Sequence, residues 1–163
     1  MILNHQIYFN ETATAKNTLV FIHGLFGSLS NLGMLARAYY DSHSVIQIDV
    51  RNHGHSAHAA EMNYAVMAAD ILETLDHLNI QKFSAIGHSM GGKIAMQLAN
   101  QAGQRLEQLI VLDMAPFAYQ ENHHEQIFKA LFAVKNAQVE SRQQATQIMR
   151  EYLSEEMVIQ FLM

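Results

Sequence analysis

Residues 86–93 read Ile-Gly-His-Ser-Met-Gly-Gly-Lys, and no other stretch constrains the fold as tightly. Residues 82–86 have the bulk and length of a strand, and residues 93–99 carry the spacing of a helix. Ser89 therefore stands on a strand-to-helix turn, where Gly87 and Gly91 let neighbouring backbone approach closely and push the serine out at the sheet's carboxyl end. The following helix turns its unpaired N–H groups and positive dipole end toward the same point, which favours a developing anion. Alone, Gly-x-Ser-x-Gly marks a tight turn more often than a reactive one. The flanking strand and helix, with two further glycine-bearing strand ends upstream, make Ser89 a candidate nucleophile.

Taken in order, residues 2–9 partly alternate apolar and polar side chains, the pattern of an edge strand, and residues 10–17 are a polar turn region. Residues 18–22 (Thr-Leu-Val-Phe-Ile) are a continuous run expected of a strand covered on both faces, ending in His23-Gly24-Leu25-Phe26-Gly27-Ser28. Such a loop can aim the Leu25 N–H beside Ser89, to pair with the Met90 N–H as an oxyanion hole. Residues 30–40 predict a helix with Leu32, Leu35, Ala36 and Tyr39 as its apolar stripe, capped by Ser28 or Ser30. A strand is expected over 44–50, with Arg51-Asn52-His53-Gly54-His55-Ser56 as its exit loop. His53, His55 and His58 lie close together there, but their spacing fits no strong zinc pattern and no metal is assigned.

Asn63 is placed to cap a helix running to about residue 78, with Val66, Met67, Ile71, Leu75 and Leu78 on its buried face. Residues 108–115 read as a further strand buried on both faces, with Asp113 at its carboxyl end. Ligands of open α/β sheets bind outside the carboxyl ends of the strands, which puts Asp113 on the same rim as Ser89 and Leu25 and in position to orient a histidine.

Beyond Pro116 the alternation of strand and helix stops, and helical stretches follow over 121–136, 141–152 and 155–161, with Ser141 and Gln144 resembling a capping box. The chain is thus divided into a core, 1–116, and a helical lid or its beginning, 117–163. Ile127, Leu131, Phe132 and Val134 are expected to pack, and the helical pattern gives His123 and His124 no position on the rim. The run over 109–112 has no later strand in the sequence to cover its free edge, which points to an incomplete polypeptide or one of two pieces.

Composition narrows the partners. With 163 residues, half of them apolar, the chain can bury a substantial core. Its net charge of −5 is scattered and no Lys/Arg cluster offers a stripe for phosphates, which argues against nucleic acid. The absence of cysteine excludes disulfides and thiolate zinc sites. No window approaches the ~20 apolar residues of a membrane span, and the N-terminus lacks a basic segment followed by an apolar run, so no membrane and a cytoplasmic location are the expectations.

The set formed by Ser89 in Gly-His-Ser-Met-Gly-Gly-Lys, the loop 23–28, the segment 49–56 and Leu112-Asp113-Met114-Ala115-Pro116 resembles the α/β-hydrolase superfamily, closest to YbfF-type esterases. The resemblance runs over essentially the whole chain. It implies a mostly parallel sheet flanked by helices, and a serine hydrolase acting on acyl esters or thioesters through a Ser-His-Asp mechanism without cofactor. Ser89 takes the place of the nucleophile, Asp113 that of the acid, and the N–H groups of Leu25 and Met90 that of the oxyanion hole, while His23, Phe26 and His88 are candidates for substrate contact. The family supplies its catalytic histidine from a loop after the last strand, beyond the lid, and these residues hold no counterpart. The resemblance therefore implies that the C-terminal strands and the histidine loop lie in a complementary segment, and that this chain alone is nearly inactive. Two other readings share the same residues: a non-catalytic binding module on this scaffold, and a cofactor-free lyase or acyltransferase.

Overall fold

The structure is a computed structural model that describes residues 1–12, 18–119 and 124–163. The first compact unit is Met1–Pro116. Its strands β1 (His5–Tyr8), β2 (Thr18–Ile22), β3 (Ser44–Ile48), β4 (Phe83–His88) and β5 (Leu106–Leu112) form one sheet in the order β1-β3-β2-β4-β5. β1 runs antiparallel to β3, and every other pair is parallel.

Side-chain alternation along the strands explains why helices cover both faces. Val20 and Ile22 of β2, Ile46 and Ile48 of β3, and Phe83 and Ala85 of β4 point to one face, where they meet helices α2 (Tyr64–His77) and α3 (Met90–Ala102). Leu19, Phe21, Val45 and Ile86 point to the other, where Ala36 of the short helix α1 (Gly33–Arg37) packs. β2 is buried at every residue, as its continuous apolar run predicts. α2 begins where expected, with Asn63 Oδ1 accepting from the Val66 N–H at 3.0 Å. Its buried face includes Met67, Ile71 and Leu75.

Two elements depart from the sequence expectation. In place of one helix over 30–40, the chain forms a 3-10 turn at Leu29–Leu32 followed by α1. Side chains fix the turn from outside: the Leu29 N–H donates to Asp49 at 2.6 Å and its carbonyl accepts from Gln47 Nε2 at 2.7 Å. Of the expected stripe, Ala36 is buried and Leu32 half-buried, whereas Leu35 and Tyr39 are exposed. β5, predicted to be covered on both faces, exposes Leu109 and Ile110 at 39 % each. It is the last strand of the sheet, and among the described residues no strand pairs with its outer edge.

The second compact unit is Phe117–Met163. It contains α4 (Glu125–Asn136), α5 (Arg142–Met149) and α6 (Glu156–Leu162), joined through Ala130, Met149, Leu153 and Ile159 with Ile127, Leu131 and Val134 packed alongside. Phe132, expected in that packing, is instead 58 % exposed. The Ser141–Gln144 box is half formed: Ser141 Oγ accepts from the Gln144 N–H at 3.2 Å, while Gln144 Oε1 accepts from the N–H of Glu140 rather than that of Ser141. His124 stands at the N-cap of α4, and His123 lies outside the described residues. Among the described residues no helix is long and apolar enough to cross a membrane.

The Asn63 cap generates a stability prediction. Asn63→Ala leaves the Val66 N–H without its acceptor and is expected to lower unfolding free energy by ~1 kcal/mol, read as a reduced urea midpoint at unchanged slope.

Candidate active site

The sheet order decides where a site forms. From β2 the chain moves to β3 on one side, then crosses back to β4 on the other, so β2 and β4 stand where the strand order reverses, and in open α/β sheets the ligand crevice lies at the carboxyl ends of such strands. Ser89 stands there with φ 53° and ψ −117°, a conformation that costs a non-glycine residue about 1–3 kcal/mol. Contacts that leave no alternative path hold it. A Cβ on Gly87 would lie 2.2 Å from the Gly91 carbonyl oxygen, and one on Gly91 would lie 2.2 Å from that of Ile22. Helix α3 therefore starts flush against the end of β2. The Ser89 N–H donates to the Leu112 carbonyl at 3.0 Å, which ties the turn to the end of β5.

The loop after β2 lies against this turn. A Cβ on Gly24 would sit 3.3 Å from Ser89 Cβ and 3.4 Å from His88 Nδ1. Gly24 is followed by half-buried Leu25 and by Phe26, whose φ is 62°. The Gly27 N–H then closes the loop onto the Gly24 carbonyl at 3.1 Å. Met90 supplies the first N–H of α3, one of the N-terminal group that has no acceptor in a preceding turn. Asp113 follows directly on Leu112 with φ 56° and an exposed carboxylate, its Oδ2 3.9 Å from Nε2 of half-buried His88.

The structure thus brings Ser89, His88, Asp113 and the Gly24–Leu25 backbone to one rim. It does not bring His23 there. That ring is 1 % exposed and both nitrogens are engaged, Nδ1 with the Gly24 carbonyl at 2.8 Å and Nε2 with the Val50 N–H at 3.1 Å. The expectation that His23 contacts substrate is corrected accordingly: no polar atom of the ring is left for a ligand.

The model of the alpha/beta hydrolase fold family matches residues 17–149. The chain belongs to the α/β hydrolases. Its similarity to Esterase YbfF of Escherichia coli is 46 % identity over 163 residues, all of this chain and 64 % of the relative. A Haemophilus influenzae relative is also 46 % identical, over 99 % of this chain and 56 % of its own length. Among solved structures, a marine microorganism esterase superposes with a TM-score of 0.85 at 30 % identity, covering 99 % of this chain and 62 % of the other. The chain is therefore close to YbfF-type esterases and spans less than two thirds of the length of these relatives.

The loop after β3 supplies the residue that sequence reasoning missed. The buried carboxylate of Asp49 accepts from the Leu29 N–H, the His55 N–H at 2.9 Å and Asn4 Nδ2 at 2.7 Å. A Cβ on Gly54, whose φ is +53°, would fall on that carboxylate. Burial alone would raise the Asp49 carboxyl, but the donors from His55, Leu29 and Asn4 outweigh it and hold the group below the usual aspartate range. The legible signal was an aspartate at a strand end with Gly54 and Ser56 following, since Ser56 Oγ donates to the Asp49 carbonyl at 2.6 Å. Arg51 forks onto Asp70 of α2 at 2.6 and 2.8 Å, fastening the same loop from below. Of the three neighbouring histidines, His53 is buried beside His23 while His55 and His58 are exposed. Among the described residues no group of His, Asp or Glu is arranged to hold a metal ion.

Two predictions follow from these contacts. Gly91→Ala forces a methyl against backbone that cannot rotate away, so a loss at or above the overpacking range of about 1–3 kcal/mol is expected, read as a lower melting temperature. Asp49→Asn is expected to cost about 2 kcal/mol at pH 7 in urea unfolding. Because the folded-state pKa lies below the unfolded one, the Asp49 contribution is complete above the unfolded value and fades as pH falls through the folded value. The gap between Asp49→Asn and the parent should accordingly narrow below about pH 4.

Proposed function

We propose that this chain carries the nucleophile, acid and oxyanion-binding backbone of a serine esterase, and that the histidine completing the triad lies outside these 163 residues. The observation that carries the reading is the strained Ser89 turn, pressed between the Gly24 loop and the end of β5. Strain of this kind persists only where the surroundings over-determine it, and it presents the hydroxyl at the crevice. The esterase relatives support the reaction class, and more than a third of each relative's length lies outside the match, which leaves room for the missing base.

In this reading Ser89 Oγ attacks the carbonyl carbon of an acyl ester or thioester. The histidine takes the serine proton and returns it to the leaving alcohol or thiol, and water then releases the acid. Asp113 holds that histidine's tautomer from the end of β5. The N–H groups of Leu25 and Met90 receive the oxyanion, each donor worth about 3 kcal/mol of transition-state stabilisation. Phe26 and His88 flank the acyl group. No cofactor enters. The substrate is a small acyl ester or thioester handled in the cytoplasm, and the complementary segment supplies the remaining strands beside β5.

Intact mass after prolonged exposure to a fluorophosphonate tests the nucleophile, with a single adduct expected on the parent chain and none on Ser89→Ala. An unmodified parent chain would mean either a fragment whose serine needs the absent histidine or a non-catalytic binding module. p-Nitrophenyl acetate tests the base: without a histidine, turnover is limited to the residual ~10³–10⁴ over water that binding and the oxyanion hole provide. Rapid turnover by the 163-residue chain, lost in Ser89→Ala, would place the base inside it and refute that part of the reading. Added ethanol separates hydrolysis from acyl transfer by the ratio of acetate to ethyl acetate.

A further inference from the structure

His23 is a buried titratable group beside the crevice that the proposed reaction does not use. Its ring bridges two loops. Nδ1 lies 2.8 Å from the Gly24 carbonyl, which can only accept, so Nδ1 carries the proton. Nε2 lies 3.1 Å from the Val50 N–H, which can only donate, so Nε2 is bare. The contacts select one neutral tautomer. They also fix the segment that follows, because Gly24 is the residue against Ser89 and its carbonyl also receives the Gly27 N–H. Leu25 sits between these two anchors.

We propose that His23 is a positioning residue for the crevice: as the neutral Nδ1–H tautomer it ties Gly24 to the end of β3 and so holds the Leu25 N–H beside Ser89, and protonation of the ring releases that loop. The inference rests on the role given to Leu25 above. A proton added at Nε2 would confront the Val50 N–H, donor against donor, inside a site that is 1 % exposed. The surrounding charges decide how easily that proton arrives. From the β3 exit loop, the His53 ring at a centroid distance of 5.3 Å opposes it and the Asp49 carboxylate favours it. From the β4–α3 turn, His88 faces the adjoining Gly24. Burial, the largest influence, holds His23 below the ordinary histidine range, with the Gly24 carbonyl and Asp49 pulling the other way. The tie is thus intact at neutral pH and lost on acidification.

The experiment is a pH titration of the full 163-residue chain, followed by long-range ¹H–¹⁵N imidazole correlations and backbone amide shifts. The expected result is a His23 Nδ1–H pattern at neutral pH, a midpoint below about 6.5, and amide shifts of Gly24, Leu25 and Val50 with that same midpoint. An Nε2–H or doubly protonated ring at neutral pH, or loop amides that stay still while the ring titrates, overturns the proposal. A second measurement compares His23→Gln, which keeps a donor and an acceptor, with His23→Phe, which fills the space without either. Fluorophosphonate modification of Ser89 is expected to slow at least about tenfold in His23→Phe and to recover partly in His23→Gln, and equal rates in the two variants overturn it. The ring and amide signals are read without any reaction at Ser89. An unreactive Ser89 with a coupled loop therefore bears on the nucleophile reading alone, and a reactive Ser89 with an uncoupled loop sinks the His23 proposal alone.

Discussion

Everything at the crevice depends on one close backbone approach, that of Gly91 to the carbonyl oxygens of Ile22 and His23. Only there can the first turn of α3 rest on the end of β2 with no side chain between them, and only then does the preceding residue pair take up the sharp turn that lifts Ser89. The strain at Ser89 is held in place by packing on every side: Gly87 under α3, Gly24 against the serine, and the Leu112 carbonyl on its N–H. Relaxing the serine to an ordinary φ would require all three segments to separate. Positive φ also recurs at Phe26 and Asp113, so each loop that reaches the rim turns through a left-handed residue just before or after its contact.

Behind the rim stands a second layer with a different chemistry. Asp49 gathers donors from three separate parts of the chain, at Asn4, Leu29 and His55, and Arg51 clasps Asp70 on α2. These are charge-assisted bonds in buried surroundings, where a fully satisfied network fixes geometry and a half-satisfied one is costly. The apolar core holds the strands at their spacing, while this polar layer sets the directions in which the loops leave them. His23 belongs to the same layer, bridging the β2 and β3 exits.

Much of this was legible in the sequence because it rested on local patterns. The continuous run of β2, the Asn63 cap and the strand–serine–helix turn each follow from spacing or from a single residue's chemistry, and all three form as expected. The failures share a cause. The helix predicted over 30–40 gives way to a turn pinned by Asp49 and Gln47, side chains from other segments that no local window contains. β5 exposes Leu109 and Ile110, whose apolar run reads as covered on both faces, and the sequence already shows that no later strand is present to stand beside it. His23 reads as a candidate for substrate contact, whereas β2 ends with that side chain turned inward onto Val50. Sequence shows which residues stand near a site more readily than which way they face.

The strand order has a consequence for how the molecule comes into being. β2 leaves the chain early, yet both its neighbours arrive later, and Ile22 reaches its second partner only when Gly87 docks beside it. Contacts of such long sequence separation form slowly, since the intervening chain must be closed before they repay it. Until then the segment around Ser89 has no β2 to lean on and no reason to adopt its strained turn. The strained serine thus rests on a pairing between residues far apart in the chain, and a chain that has not yet made that pairing holds only an ordinary serine there.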